Sequence, residues 1–189
     1  MNKIPETAKF ETNHASLMTH HHSFETERLL IRPTSENDAA FILELLNTPK
    51  WIKFIGDRNV NTISDAQNYI KNKMLPQLRQ RGYSNYTLIR KNDQQKIGTC
   101  GLYHREGLDG IDIGFALLPQ YEKKGYAFEA AAKIKEAAFD VFGIHRLLAI
   151  TTKDNFASQK LLEKLSLQCT ETITLPNDSE ELLLYKIEK

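Results

Sequence analysis

IDIGFALLPQYEKKGYAFEA, residues 111–130, reads as an apolar strand that stops at Pro119, turns through two lysines and a glycine, and enters an alanine-rich helix. The first amides of a helix have no intrahelical partner and carry the positive end of its dipole, so a phosphate is favourable there. Gly125 lets the backbone approach such a ligand, and Lys123 and Lys124 add charge. The alternative is a surface turn with two solvated lysines.

The residues beyond the turn decide between these readings. The helix is predicted over 126–142, with Glu129 and Lys133 as an (i, i+4) pair and Gly143 as its stop. RLLAITT, 146–152, is apolar on both faces, the mark of a buried and parallel strand. Strand, helix and strand form a βαβ unit, and the lysine-glycine turn lies just past the carboxyl end of its first strand. Open α/β sheets bind ligands at such ends, which favours an anion site.

Downstream, DNFASQKLLEKLSL (154–167) is a capped helix with Phe156, Leu161, Leu162 and Leu165 inward, succeeded by strands 168–176 and 181–188 around a turn at 176–178. Upstream, ERLLIRP (27–33) is a strand, and 36–47 a helix with N-caps offered by Thr34 and Ser35. WIKFIGDRNVNT (51–62) reads as an aromatic-bearing loop. Ser64 with Gln67 resembles a capping box opening a helix that Pro76 interrupts and Gly82 ends. YTLIRK (86–91) and KIGTCGLYH (96–104) form a hairpin. This order predicts one mixed α/β (α+β) domain.

At 189 residues, 41% apolar and 26% charged, the chain has the composition of a globular domain. A formal net charge of +1 supplies no bulk attraction to nucleic acid or to an anionic membrane, so neither is an expected partner. No apolar run reaches membrane-spanning length and no signal-peptide core is visible, so a cytoplasmic location is the default expectation. Cys100 and Cys169 are not spaced as metal ligands and are expected as reduced, partly buried thiols. His20, His21 and His22 are consecutive without partner ligands, and no metal site is expected. Residues 1–23 read as a polar leader expected to be disordered, and 24–189 as the domain.

IDIGFALLPQYEKKGYAFEA together with the later TTKDNFASQKLLEKLSL resembles the acetyl-CoA-binding core of the GNAT superfamily of N-acetyltransferases. With ETERLLIRP and the closing strands the likeness extends over 24–189, and within the superfamily it is most similar to the ribosomal-protein N-terminal (RimJ/RimL-like) type. The resemblance implies a central, mostly antiparallel sheet with one splayed parallel strand pair, flanked by helices. It implies acetyl-CoA as co-substrate, no metal, and direct acetyl transfer to a primary amine: a peptide or protein N-terminus, or a small molecule. Either a monomer or a homodimer fits.

Residue by residue, the family's Arg/Gln-x-x-Gly-x-Gly/Ala frame falls on Glu122, Lys123, Lys124, Gly125, Tyr126 and Ala127, whose amides would cradle the pyrophosphate. Glu122 departs from Arg or Gln, and Lys123 from a frequent glycine. Backbone groups of Ala116, Leu117 and Leu118 would hold the pantetheine arm and acetyl carbonyl. Asn155 would bond pantetheine, its plain alternative being an N-cap, and Ser158 would lie near the thiol. The family's thiolate-protonating Tyr falls on Leu162, which leaves Ser158 or solvent for that step. Asp112 is the candidate base, through a water; its plain role is a salt bridge. Trp51, Phe54, Tyr83, Tyr103 and His104 are candidates to line the acceptor site, or are packing residues. The other class of reading is a non-catalytic acyl-CoA-binding sensor. A nucleotide-binding protein fits poorly, since GxxxxGK[ST] and GxGxxG are missing.

Overall fold

The computed structural model describes residues 21–176 and 178–189; of the leader and the histidine tract, residues 1–20 lie outside that range. A single eight-stranded sheet runs through the described residues in the order β1-β2-β3-β4-β5-β6-β8-β7. Its strands are β1 (Phe24–Glu25), β2 (Leu29–Pro33), β3 (Asn85–Arg90), β4 (Lys96–His104), β5 (Ile111–Leu117), β6 (Arg146–Thr152), β7 (Gln168–Thr174) and β8 (Glu181–Glu188). Every neighbouring pair is antiparallel except β5 and β6. That exception is the βαβ unit anticipated from the sequence, and the whole is the expected mixed α/β sheet flanked by helices.

On one face lies α5 (Tyr126–Asp140), seated on Leu29, Ile31, Leu88, Ile97, Leu102 and Ile113 through an alanine-rich stripe that includes Ala130, Ala131, Ile134 and Ala138. Alanine lets the helix approach the sheet closely while still removing apolar area from water. Beside it runs α6 (Phe156–Lys164), whose Leu162 is buried in the same core. The other face carries α1 (Ala39–Leu46), α2 (Pro49–Phe54), α3 (Ile63–Tyr69) and α4 (Leu75–Arg81), packed through Ile42, Leu45, Ala66, Ile70 and Leu118.

Several local expectations are corrected. Residues 49–54 are helical, because Thr48 accepts a hydrogen bond from Trp51 N–H and Pro49 opens the helix where its missing N–H costs nothing. The capping box is Thr62 with Asp65, one half-turn before Ser64. Ahead of Pro76 the helix widens into a π-helical turn over 70–74, which absorbs the hydrogen bond that proline cannot donate. Glu129 does not pair with Lys133. It accepts from Arg28 Nε at 2.6 Å, while Lys133 turns to Glu136. Phe156 is 66% exposed rather than inward, since it opens α6 before the apolar stripe begins. His22 already packs 5.8 Å from Phe142, so domain contacts begin ahead of residue 24. Cys100 is fully buried in β4, but Cys169 is exposed on edge strand β7.

Candidate active site

The parallel pairing of β5 and β6 covers only Ile111 with Leu147 and Asp112 with Leu148. Past those residues the strands part, leaving a V-shaped slot open toward their carboxyl ends. Leu118 N–H donates to Ile97 O at 2.9 Å, in register with the β4–β5 ladder. Opposed residues in antiparallel strands alternate between bonded and unbonded pairs. Ala116 and Gly114 therefore commit their peptide groups to β4, whereas Leu117 and Phe115 direct both N–H and C=O into the slot. The same parity holds on the far wall. Lys189 N–H donates to His145 O, which leaves Ile150 facing the slot, with Thr152 O capped by Asn155 N–H. Of the three backbone positions expected here, Leu117 alone presents its peptide groups. Leu118 is committed to Ile97, and Phe115 carries no sequence signal for this place, because strand parity needs the register.

The slot ends at the lysine-glycine turn. Lys123 and Gly125 both adopt left-handed backbone, with φ of 57° and 83°. Alternating hands of this kind turn successive amides inward, and α5 begins at Tyr126 with no side-chain cap among the described residues, so its first amides lack an intrahelical partner. A Cβ on residue 125 would stand 3.2 Å from Arg28 Nη2. Arg28 also donates to Lys124 O at 3.0 Å and stacks on the Tyr126 ring at 4.4 Å. Lys124 Nζ folds back onto Gln120 O. Glu122 is ion-paired with Lys50 of α2. Beside Gly125 a shallow cleft of about 760 Å³ carries Arg28, Phe128, Lys133 and Lys164.

On the β6 wall, Asn155 caps α6 by accepting from Ser158 N–H at 3.2 Å. The cap uses its carbonyl oxygen, so the amide nitrogen stays available to a ligand. Ser158 is half-buried on the first turn of the helix. Leu162 is 1% exposed and belongs to the core.

The face beneath α1–α4 is unusually polar for a sheet interior. Tyr103 hydroxyl donates to Asn85 Oδ1, Asn85 Nδ2 donates to Thr34, Thr34 bonds Thr87, and Thr87 donates to Asp38. Asp38 is fully buried and held by Arg32 at 2.7 Å and Lys96 at 2.6 Å. Burial alone would raise its pKa. The hydrogen bonds from Arg32, Lys96 and Ser35 N–H outweigh that and hold it well below the usual carboxylate range. This chain fixes the Tyr103 ring across Gly101 and Gly114, where added Cβ atoms would meet it at 2.8 Å and 3.0 Å. Burial, then nearby Cys100, Asp112 and Tyr69, pushes the Tyr103 hydroxyl pKa up.

Asp112 stands opposite Tyr103 on β5, at the closed end of the slot. It is 2% exposed, and Arg105 donates to its Oδ2 at 3.2 Å while Oδ1 has no partner among the described residues. Burial raises its pKa, partly offset by Arg105. Trp51 and Phe54 sit on α2, near the open end; the indole N–H of Trp51 is buried without a partner among the described residues. The acceptor candidates do not all converge. Tyr83 is packed in the α5-side core, 5.0 Å from Phe142, because its place just after Gly82 turns it to that face. His104 is exposed at the far end of β4, opposite Ile111, with its N–H bound by Gln77 Oε1.

Comparison with known proteins gives a family for this arrangement. Residues 28–168 match the family model described as the Acetyltransferase (GNAT) domain. The chain is 28% identical over 149 residues to the uncharacterised N-acetyltransferase YoaA of Bacillus subtilis (strain 168), covering 76% of this chain and 81% of that protein. Among solved structures, an acetyltransferase (GNAT family) from Bacillus anthracis superposes with a TM-score of 0.73 at 24% identity, over 88% of this chain and 98% of that one. Ribosomal-protein-S5-alanine acetyltransferase from Vibrio fischeri does so with a TM-score of 0.74 at 20% identity, over 88% and 96%. Both likenesses are to the fold.

Proposed function

The chain belongs to the GNAT acetyltransferase family and is an N-acetyltransferase, and from that premise we propose that it moves the acetyl group of acetyl-CoA directly to a peptide or protein N-terminal α-amine. The observation that carries the coenzyme reading is the slot itself: two walls with uncommitted peptide groups that end at a left-handed turn and a helix N-terminus.

In this reading the pyrophosphate rests on the amides of 123–127, and the adenosine end lies in the cleft with Arg28, Lys133 and Lys164. Pantetheine hydrogen-bonds Leu117, Phe115 and Asn155 Nδ2. Polarisation of the thioester carbonyl by a slot-facing N–H stabilises the oxyanion of the tetrahedral intermediate. Trp51, Phe54 and Tyr103 line the acceptor side. An α-amine, with an unperturbed pKa of about 8, needs only a modest base. Asp112 fills that role through water, since its carboxylate is too enclosed for direct contact. Ser158 or solvent returns a proton to the departing thiolate. The choice of an α-amine is supported by that low demand on the base and by the RimJ/RimL-like sequence resemblance.

The test is thermal stabilisation by acetyl-CoA, CoA and ATP side by side, then thiol release against amines and N-terminal peptides. A selective shift with the coenzymes and turnover with peptides are expected. Turnover confined to small amines would replace the acceptor, and no shift with either coenzyme would remove the site.

A further inference from the structure

Glu122 and Lys50, 72 residues apart in the chain, are joined in an ion pair beside the phosphate turn. Lys50 is the more exposed partner, with 57% of its side chain open against 23% for Glu122. A carboxylate beside a pyrophosphate is repulsive unless a cation neutralises it. An ammonium carries three donors, and Glu122 accepts one, so two remain for an anion at the turn. The pair thus places a positive charge against a residue that by itself would repel the ligand. Three residues along the same short helix, Lys53 pairs with Asp154 at 2.8 Å, a residue just past the end of β6. Lys50 therefore belongs to a helix held to both walls of the slot, and its reach toward the turn is set by a bracket at each end.

Resting on the acetyl-CoA reading, we propose that Lys50 is a phosphate-binding residue for the coenzyme and that Glu122 is the residue that positions it. The acceptor-side helix α2 supplies a cation that the turn's own first position lacks. Because α2 also carries Trp51 and Phe54, coenzyme phosphate and acceptor are read by one helix.

The experiment compares acetyl-CoA with S-acetylpantetheine, which has the same thioester and arm but no pyrophosphate or adenosine. Dissociation constants are measured for the wild type, for Lys50→Met and for the exchanged pair Lys50→Glu with Glu122→Lys. Lys50→Met is expected to weaken acetyl-CoA about tenfold, the size of one charge-assisted hydrogen bond. Its affinity for S-acetylpantetheine stays unchanged. The exchanged pair recovers acetyl-CoA binding, since the cation then stands on the turn. Equal loss for both donors would mean a merely structural Lys50 and overturn the proposal, as would wild-type affinity in Lys50→Met or no recovery in the exchanged pair. A wild type that binds neither donor would instead remove the coenzyme reading on which the proposal stands.

Discussion

Leu118 and Ile97 are joined by one backbone hydrogen bond of 2.9 Å, and its parity decides which peptide groups of β5 face the slot. Proline at Leu117 would delete a slot-facing N–H and leave the β4 ladder intact. At Ala116 it would break a ladder bond. Leu117→Pro is expected to keep its circular dichroism and to bind acetyl-CoA at least tenfold more weakly. Ala116→Pro is expected to lose about 3 kcal/mol of stability in denaturant melts.

Lys123 holds its left-handed backbone against steric crowding of its Cβ, roughly 1–2 kcal/mol, part of which glycine would return as chain entropy. Lys123→Gly should therefore stabilise the protein by about 1 kcal/mol. In a domain of this size that is a rise in Tm of about 2–4 °C. An unchanged or lower Tm would mean that the turn is held in that conformation without strain.

The ion pairs of Asp38 hold its folded pKa below its unfolded value, so their stabilisation is complete above the unfolded pKa near 4 and disappears as pH falls toward the folded one. Urea midpoints should be flat from pH 7 to about 5 and drop below 4. Asp38→Asn, which leaves Arg32 and Lys96 without their carboxylate, should cost about 3–5 kcal/mol at pH 7 and flatten that acid limb.

As the proposed base, Asp112 would act only when ionised, and burial moves its pKa upward. The acid limb of kcat/KM is expected above the ordinary carboxylate range. Arg105→Gln should move it higher still, because the guanidinium that opposes burial is gone. Asp112→Asn should remove the limb and lower kcat about a hundredfold. A limb that survives in Asp112→Asn would assign the base elsewhere.

Strand periodicity in 111–118 and 146–152, the helix between them and the lysine-glycine turn were legible in the sequence, and together they pointed to the slot proposed here for the coenzyme. The signals for α2 were also present, in the Thr48-Pro49 pair, but six residues with no apolar stripe read as loop. Two capping boxes competed at 62–67, and the one with Asp at its third position formed. Strand parity escaped because it depends on the β4–β5 register, set by a turn whose length does not reveal it. Tyr83 takes its side from a partner distant in sequence, Phe142, whereas Phe156 is exposed because it stands at the first position of α6, ahead of the apolar stripe. The Lys50–Glu122 pair has no sequence signal, since neither residue type is unusual where it stands.

The two thiols have opposite fates in any assay that detects released coenzyme A with a disulfide reagent. Cys169 lies exposed on the edge strand and will titrate at once, a constant background of one equivalent per chain. Cys100 is sealed in β4, with its thiol pushed up by burial, and stays silent while the sheet is intact. A second equivalent appearing over time marks the fraction of enzyme that has opened, so one trace records both turnover and the integrity of the preparation.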